Sequence, residues 1–545
     1  MAQWNKNTQN YLNQEKTLHE VMMIADRYGN IGSLGGGTYD VGGRTAFGEI
    51  STAQVNPLFQ LDGLYGITDD NDFQLNSALS GSQSVDSAGL MTVSSGTTAG
   101  AFATLRSKRS VRYRPGQGSM ARFTAMFPTG HTAGYQQVAG YLNQSDLIGV
   151  GYNFPSAKTE FAVVRRYNGK GEVYKVAVTA GASGAETFRI TLDGTDFDVT
   201  VTSGTAAHNA SELAAATYTQ WIVDVVGTNV YFLYNGPPGD LTGSFAVANQ
   251  TGSGTMAATG TTIQEGLAPT DKWTYQSDFN LDKLDGTGSS GMTIDPTKLN
   301  VFQIDFRWLG VGLIRYCIED QITGELIAFH MEHFVNENTT THLANPSMRV
   351  GYGVVNVAGG TLGTGTDVII KGGSMMGAIQ GILNKNTTSK AVQNSASNLT
   401  SNDTHHILTL KSDRINENGT INKLNQREVV LQTLALGVLA NAGNVAIIDV
   451  YKNADLVDDE DGSPPNDVAF AYTVASDGVS KSITTANRKA NSGTLVTSFV
   501  VASNSTANID LNQYRIILAP LERISIFVTC AAQVSPSVAL TYQVE

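Results

Sequence analysis

Residues 301–316, VFQIDFRWLGVGLIRY, decide the fold class of this chain. Apolar side chains occupy every second position from Phe302 to Trp308, which predicts one strand with an aliphatic and aromatic face. Gly310 and Gly312 follow in a tight turn, because glycine accepts the positive φ values that hairpin turns need. A hairpin with so apolar a face is not stable alone. We therefore expect it at the centre of a sheet that packs on a second sheet, with Trp308 as a buried anchor.

The composition agrees with an all-β chain. The 57 glycines are about one residue in ten, and only 15% of the 545 residues are charged, whereas globular domains contain about 7% glycine and about 25% charged residues. Thr, Ser, Asn, Val and Gly dominate, as in short strands joined by many turns. A chain of this length is expected to contain several domains, each large enough for its own core.

Charge and cysteine usage argue against several classes of function. The net charge is −13, and the sequence lacks the basic stripe that replaces the counterions of a nucleic acid, so we expect no nucleic-acid partner. It also lacks a signal region and a run of 18 apolar residues, which predicts synthesis in the cytoplasm and no membrane insertion. Cys317 and Cys530 are expected to be buried small hydrophobes.

Three further stretches join the hairpin in carrying a resemblance to known proteins. They are RYRPGQG at 112–118, ARFTAMF at 121–127 and AFGE at 46–49. The set resembles structural proteins of tailed bacteriophages, over about residues 40–375. The resemblance implies a concanavalin-like jelly roll that forms part of a virion, in a tail, fibre or capsid-surface role. These motifs are structural, so they indicate an assembly class and no activity.

Within the first of these motifs, Pro115, Gly116 and Gly118 interrupt the first pair of strands, at residues 111–114 and 121–127. The break demands backbone freedom that glycine supplies. We expect these three residues, like Gly310 and Gly312, to have a structural role.

The pattern along the chain predicts a jelly-roll sandwich, interrupted by a small α+β insertion and followed by a C-terminal β-sandwich. Residues 1–95 are expected to be an N-terminal docking arm, with a short helix near 17–29 or, alternatively, a strand through 21–24 and a turn at 28–30. Residues 96–375 form the jelly roll, 376–404 a polar linker and 405–545 a sandwich of eight strands.

The inserted module covers residues 171–266. Its strands at 173–178, 187–192 and 197–202 are followed by SELAAAT at 211–217, which predicts a short helix with Asn209 as its cap. A hairpin over 221–234 completes the module. Because the jelly-roll strands resume after it, we expect it to leave the parent fold through one surface loop.

Candidate metal ligands are few, and we expect no cofactor. His330 and His333 fall on opposite faces of a strand, so they could share a metal ion only if the strand were bulged. The pair His405 and His406 is similar. The acidic residues 455–467 (DLVDDEDGSPPND) fail the spacing of an EF-hand, so an exposed loop is expected, with a loose calcium site as the alternative. GTLGTG at 360–365 lacks the Lys-Ser/Thr of a phosphate-binding loop.

Candidate catalytic carboxylates occur in two groups, and a pair of them could serve a glycosidase. The two groups are Asp193, Asp196 and Asp198, and Asp282 and Asp285. Most of them lie beside Gly or Thr in turns, where short-range bonds to the backbone account for them. Because no grouping of nucleophile, base and orienting residue stands out, we expect no enzyme and no hydrolysis of host glycans.

The sequence therefore predicts a phage virion structural protein, most simply an exposed tail or fibre component that is assembled in the host cytoplasm and contacts the host surface. Its partners would be other virion proteins and further copies of itself. A capsid-surface fibre or decoration protein is the alternative within this class. From another class, the alternative is an adhesin for a host-surface glycan, for which Trp221, Tyr234 and Trp273 are candidate aromatic platforms and core packing is the competing interpretation.

Overall fold

The computed structural model describes residues 23–25, 31–33, 55–68, 72–155, 157–357, 366–381, 388–399, 403–420, 422–440, 445–458, 470–474, 477–483, 486–514, 516–530 and 533–544. These ranges consist mainly of strands and turns with one α-helix, which confirms the predicted all-β class. None of the helices in them is long and apolar enough to cross a membrane.

In the described residues, eleven strands precede the inserted module. They are β1 (Met23–Ala25), β2 (Ile31–Ser33), β3 (Val55–Asp62), β4 (Phe73–Ala78), β5 (Ser82–Val85), β6 (Met91–Ser94), β7 (Phe102–Ser107), β8 (Gly118–Ala125), β9 (Tyr135–Leu142), β10 (Leu147–Tyr152) and β11 (Ala162–Tyr167).

The module contains seven strands and the helix. They are β12 (Val173–Ala180), β13 (Glu186–Leu192), β14 (Thr195–Val201), α1 (Ala206–Ala215), β15 (Trp221–Val226), β16 (Asn229–Tyr234), β17 (Ala246–Asn249) and β18 (Ala257–Gln264).

The first domain then resumes. Its strands are β19 (Thr270–Tyr275), β20 (Asn300–Phe306), β21 (Ile314–Glu319), β22 (Leu326–Glu332), β23 (Arg349–Asn356), β24 (Ile369–Gly372) and β25 (Ser374–Gln380), with a 3-10 helix at Gln276–Asp278.

The C-terminal strands are β26 (Lys390–Ser395), β27 (Thr404–Ser412), β28 (Val429–Ala440), β29 (Val445–Lys452), β30 (Leu456–Asp458), β31 (Ala471–Val474), β32 (Val479–Ser482), β33 (Ala486–Ala490), β34 (Thr494–Ala502), β35 (Ser505–Asp510), β36 (Ile517–Leu518), β37 (Arg523–Cys530) and β38 (Val534–Val544), with a 3-10 helix at Leu511–Tyr514.

Two large antiparallel sheets form the jelly roll. One has the order β19-β11-β10-β9-β23-β7-β4, the other β22-β21-β20-β8-β25-β3, and a small sheet β24-β6-β5 lies beside them. Their inner faces share one core, in which the rings of Tyr141 and Phe306 meet edge to face at 5.1 Å. This pair of sheets packed face to face is the concanavalin-like jelly roll.

The hairpin of β20 and β21 lies within the six-stranded sheet, between β8 and β22. Phe302, Ile304 and Phe306 are fully buried, as the alternation predicts. Trp308 differs, because it is only half-buried: its Nε1 donates to Leu343 O at 3.0 Å while the ring packs against the core.

The turn after β20 also differs in detail from the expectation. Leu309 has φ 38° and Gly310 has φ 84°, so these two residues have the positive φ values. Gly312 is required for another reason, since a Cβ there would lie 2.3 Å from Arg307 O.

The sandwich begins well before residue 96, so the expected boundary of the arm is wrong from residue 55 onward. β3 pairs with β25 and β4 pairs with β7, because Phe59 and Phe73 belong to the jelly-roll core. Nearer the N-terminus, Met23–Ala25 pairs with Ile31–Ser33, which favours the strand over the helix for this stretch.

The expected linker over 376–404 is wrong as well, since strands from both domains enter it. β25 pairs with β8 and β3 in the jelly roll. β26 pairs with β38 in the C-terminal unit, where Val392 is buried. The described residues between these strands are 381 and 388–389.

The inserted module has two sheets of its own, β15-β16-β12-β18 and β14-β13-β17, packed with α1 around a separate core. The flanking strands β11 and β19 are antiparallel neighbours. The helix lies earlier than predicted. Thr205 caps it by accepting from His208 N at 3.2 Å, whereas Asn209 uses its side chain to bind Ala182 N and Thr202 O.

The C-terminal unit is a sandwich of a sheet containing β26-β38-β28-β35 and a sheet containing β30-β33-β27-β37-β29-β34. It has more strands than the eight expected, in part because β32 and β33 form from polar stretches that lack an apolar alternation. Cys530 lies in its core and Cys317 in the first domain, and both thiols are buried.

Candidate functional site

The motifs that carry the phage resemblance meet in space. β8 contains most of the second motif and is the hydrogen-bonded neighbour of β20. Tyr113 of the first motif lies edge to face on Trp308 at 5.4 Å, and its hydroxyl accepts from Leu309 N at 3.1 Å. Residues 46–49 lie outside the described residues. Through these contacts the motif residues stabilise the jelly-roll framework.

The Pro115 turn reverses the chain before β8. Gln117 N donates to Arg114 O at 3.1 Å, and Gly116 has φ 86°. Proline in the second position and glycine in the third are the preferred residues of a type II turn. Gly118 is the first residue of β8. Residues 111–114, expected as a strand, make one isolated bridge between Val111 and Met348.

A buried ion pair lies on the face of β20 opposite to its aliphatic and aromatic face. Asp305 is fully buried and accepts from Arg315 at 2.8 Å. Gln303 also donates to Asp305, at 2.9 Å, and accepts from Arg122 at 3.0 Å. All four side chains are placed by the antiparallel register of β8, β20 and β21.

The histidine pairs do not form metal sites within the described residues. His330 is buried between the rings of Phe279 and Tyr316, at 5.7 and 5.8 Å, whereas His333 is exposed beyond the strand end. Burial lowers the pKa of His330 to about 4. His406 bonds to Thr409 Oγ1 at 2.8 Å.

The acidic and glycine-rich loops lie largely outside the described residues, which exclude 459–469 and 358–365. At the described start of the acidic stretch, Asp455 accepts from Ser492 Oγ at 2.8 Å and forms an ion pair with Arg523.

The candidate catalytic aspartates have structural partners. Asp196 and Asp198 both bind Arg189, at 3.0 and 2.7 Å, across two neighbouring strands. The other three accept backbone hydrogen bonds, Asp193 from Gly243, Asp282 from Leu284 and Ser290, and Asp285 from Thr287.

The three candidate aromatic platforms are packed to different degrees. Trp221 is 9% exposed in the module core, where it contacts Tyr234 edge to face at 5.5 Å. Trp273 is half-buried and packs on an aliphatic cluster that includes Val138 and Val164.

A group of three carboxylates was not foreseen, because its members are far apart in sequence. Within the described residues, Glu172, Asp240 and Glu265 are the one group of acidic, His or Cys side chains whose ligand atoms all lie within 4.8 Å of one another. Burial raises the pKa of Glu172, which accepts from Gly266 N at 2.7 Å.

Buried charges join the module to the C-terminal sandwich. Lys411 of β27 lies 2.7 Å from Asp224 of β15 and 3.2 Å from Asp413. Ser480 donates to Asp413 at 2.6 Å, but the other carboxylate oxygen of Asp413 is buried without a partner within the described residues. Burial raises the pKa of Asp413 to about 7 even though Lys411 opposes the shift.

A pocket of about 290 Å³ lies where the jelly roll meets the C-terminal sandwich. Gln74, Lys108 and Arg349 line it from the first domain, and Asn453, Glu522 and Arg523 from the second. No pattern in the sequence indicates this pocket, because its residues come from stretches hundreds of positions apart.

No protein-family model matches the chain, and no curated protein matches it. Among solved structures, it is similar to lectin II from Ulex europaeus, with 9% identity over 59% of this chain and 97% of the lectin at a TM-score of 0.22. It is also similar to the carbohydrate recognition domain of Emp47p, with 11% identity over 60% of this chain and 98% of the domain at a TM-score of 0.20. At these TM-scores the likeness carries no argument about function.

Proposed function

We propose that this chain is a structural subunit of a tailed-phage virion, most simply an exposed tail or fibre component that contacts neighbouring virion proteins and the host surface. The resemblance of the framework motifs supports the virion class. The motif residues that the structure describes stabilise the jelly roll, as expected of a protein whose role is to be an assembled part.

The observation that carries the proposal is the edge strand β34. Among the described residues it is the last strand of the larger C-terminal sheet, and its nine residues, TLVTSFVVA, include no charge, proline or glycine. Leu495 and Val500 are 48% and 70% exposed on it. Proteins that act alone usually protect such edges with charges, prolines or bulges. β34 has one irregularity in its pairing with β29, between Leu495 and Thr497, and neither of the other two devices, so its edge can pair with another chain.

Labelling virions with an antibody against this chain tests the assignment and separates a tail or fibre position from the capsid surface. Labelling at symmetry-related positions on the tail supports the proposal, and labelling on the capsid favours a decoration protein. Virions that contain no copy of the chain would overturn the proposal.

The association itself can be measured by light scattering on purified protein. Val500→Lys should lower the oligomeric mass, because it places a charge on the edge. Ile322→Lys makes the same kind of change at a residue that is 82% exposed in a jelly-roll turn, and should have no effect. Wild-type protein that is monomeric at all concentrations, and present as a single copy per virion, would contradict a role as an oligomeric subunit.

Glycan binding is the second candidate, and the partly exposed ring of Trp273 is the feature that favours it. Aromatic faces contribute large apolar contact areas in recognition sites. A glycan array probed with wild-type protein and Trp273→Ala tests it. Binding that is lost in the variant supports an adhesin, whereas Trp221→Phe, a change in the module core, should leave such binding intact.

A further inference from the structure

The pocket between the jelly roll and the C-terminal sandwich is lined by more positive than negative side chains. Lys108, Arg349 and Arg523 line it, against the single carboxylate of Glu522. Arg523 also pairs with Asp455 beside the pocket, and Lys108 with Glu522, so the uncompensated positive charge is that of Arg349. The whole chain carries a net charge of −13. A local excess of positive charge in a concave, partly dehydrated site attracts anions.

The one acidic group of the pocket is already neutralised. Glu522 lies 3.4 Å from Lys108 and 3.1 Å from Lys452 through its two carboxylate oxygens. It also accepts from Ala519 N at 2.8 Å. Glu522 therefore has little remaining capacity to compensate Arg349.

Arg349 is the central residue of the site. It is only 3% exposed, and the hydrogen bond its guanidinium makes among the described residues runs from Nε to Lys108 O at 3.1 Å. Burial lowers its pKa, although Glu428 and Glu522 oppose the shift. Glu428 accepts two hydrogen bonds from Ser110, from its N at 2.7 Å and from its Oγ at 3.2 Å.

Neither Nη of Arg349 has a hydrogen-bond partner among the described residues, so both can donate to a ligand in the pocket. The planar fork of arginine matches the two oxygens of a carboxylate or phosphate. Gln74 also lines the pocket, and its Oε1 is buried without a partner among the described residues. A hydroxyl group on the bound anion would supply the donor that Oε1 needs.

We propose that this pocket binds a small hydroxylated oxyanion, with Arg349 as the bidentate ligand and Lys108 and Gln74 completing the contacts. The chemistry fits hydrogen phosphate and equally the carboxylate and hydroxyls of an acidic sugar. The volume of about 290 Å³ admits either group. Because both domains line the pocket, such a ligand would also stabilise the junction. The inference does not depend on the virion role.

Isothermal titration of the full chain at low ionic strength tests the site, with inorganic phosphate, glucuronate and neutral glucose as separate ligands. Saturable binding of phosphate alone identifies a free ion as the occupant, and binding of glucuronate but not glucose identifies an acidic sugar. Either result supports the proposal. Absence of saturable binding for both anions up to millimolar concentration would overturn it.

Variants assign the binding to the pocket. Arg349→Lys keeps the charge but loses the fork, and should weaken the affinity by about tenfold or more. Lys108→Gln should weaken it too, whereas Lys298→Gln, at an exposed lysine of a distant turn, should not. Equal affinities for all three variants and wild type would show that the anion binds elsewhere.

Hydrogen exchange on the wild-type protein gives a second measurement that needs no variant to fold. The ligand should protect the amides of residues 519, 521–523 and 453 more than those of the module. Uniform protection, or none at these residues when binding is saturated, would contradict the site.

Discussion

At the scale of single residues, the most consequential contact is the buried pair of Asp305 and Arg315. Both side chains are almost entirely enclosed, and the pair is joined by hydrogen bonds of 2.8 and 3.2 Å to one carboxylate oxygen. Removing one partner of a buried pair leaves the other charge uncompensated in a poorly solvated place.

We expect Arg315→Met to lower the free energy of unfolding by about 3–5 kcal/mol, measured by chemical denaturation. Lys298→Met is the control, since Lys298 forms an exposed ion pair with Asp295 that lies outside this network. It should cost about 1 kcal/mol or less. Equal losses of unfolding free energy in the two variants would show that the Asp305–Arg315 pair stabilises the fold no more than an exposed ion pair does.

His330 should make the protein sensitive to acid. Burial lowers its pKa to about 4, below the 6.5 of an unfolded chain, so its neutral form stabilises the fold above pH 6.5 and that contribution is lost as the pH falls through 4. Burial lowers the pKa of His342 to about 4 as well, with the same sign.

His330→Phe should therefore gain stability relative to wild type as the pH is lowered from 7 to 5, in thermal melts at several pH values. The ring contacts with Phe279 and Tyr316 suit an aromatic replacement. Melting temperatures that change with pH by the same amount in the two proteins would show that His330 does not cause the acid sensitivity.

At the scale of elements, the alternation of residues 302–308 predicted the buried face of β20, because a period of two is a property of the strand itself. It did not predict that Gln303 and Asp305 on the other face are buried too. Their burial depends on Arg315, which reaches them through the register with β21. The start of helix α1 was also predicted too late in the sequence. Thr205 caps an alanine-rich stretch that shows no clear apolar periodicity, so the sequence did not indicate where the helix begins.

Glycines determine how closely the strands of the seven-stranded sheet approach. Gly140 of β9 has φ 144°, and a Cβ there would lie 2.4 Å from Ile148 O. Gly353 of β23 has room, because the nearest atoms to its Cβ would be at 3.4 and 3.7 Å.

Gly140→Ala should cost about 1–3 kcal/mol or more, because the strained backbone and the clash add. Gly353→Ala should be neutral or stabilising by up to about 1 kcal/mol, through the reduced entropy of the unfolded chain. Denaturant midpoints measure both, and a tolerated Gly140→Ala would show that β9 can relax at this position.

At the scale of the whole molecule, charged side chains are buried where the jelly roll and the inserted module meet the C-terminal sandwich. The sequence could not reveal these sites, because Asp224 and Lys411, or Arg349 and Glu522, become neighbours only once the domains are packed. Strand patterns identify what faces the core of one domain, and say nothing of which domain surfaces meet.

The buried trio of Asp224, Lys411 and Asp413 should give the junction a pH dependence opposite to that of His330. Burial raises the pKa of Asp413 from 3.8 to about 7, so its contribution to stability is present below 3.8 and is lost as the pH rises through 7. Asp413→Asn should gain stability relative to wild type between pH 5 and 8. The same change at exposed Asp510 controls for the lost charge. A difference between Asp413→Asn and wild type that stays constant with pH would contradict the assignment.

We expect that the inserted module can be removed without cutting the jelly roll, because its two ends are already bonded to each other. Lys170 N donates to Leu267 O at 2.9 Å, and Leu267 N donates to Lys170 O at the same distance. An Asn-Gly turn in place of residues 171–266 would close this pair as a two-residue hairpin. Loop entropy adds little to the cost.

Deleting the module should mainly lower the stability of the C-terminal sandwich. Val173 and Leu233 of the module form an apolar cluster with Ile415 and Leu424, and Asp224 neutralises Lys411. We expect the deleted protein to keep a cooperative jelly-roll transition in calorimetry, while the C-terminal sandwich melts separately and at a lower temperature. Asp224→Asn, which leaves the module in place, should lower the same transition by a smaller amount. An insoluble deletion protein, or one with no cooperative transition, would show that the module is part of the main core.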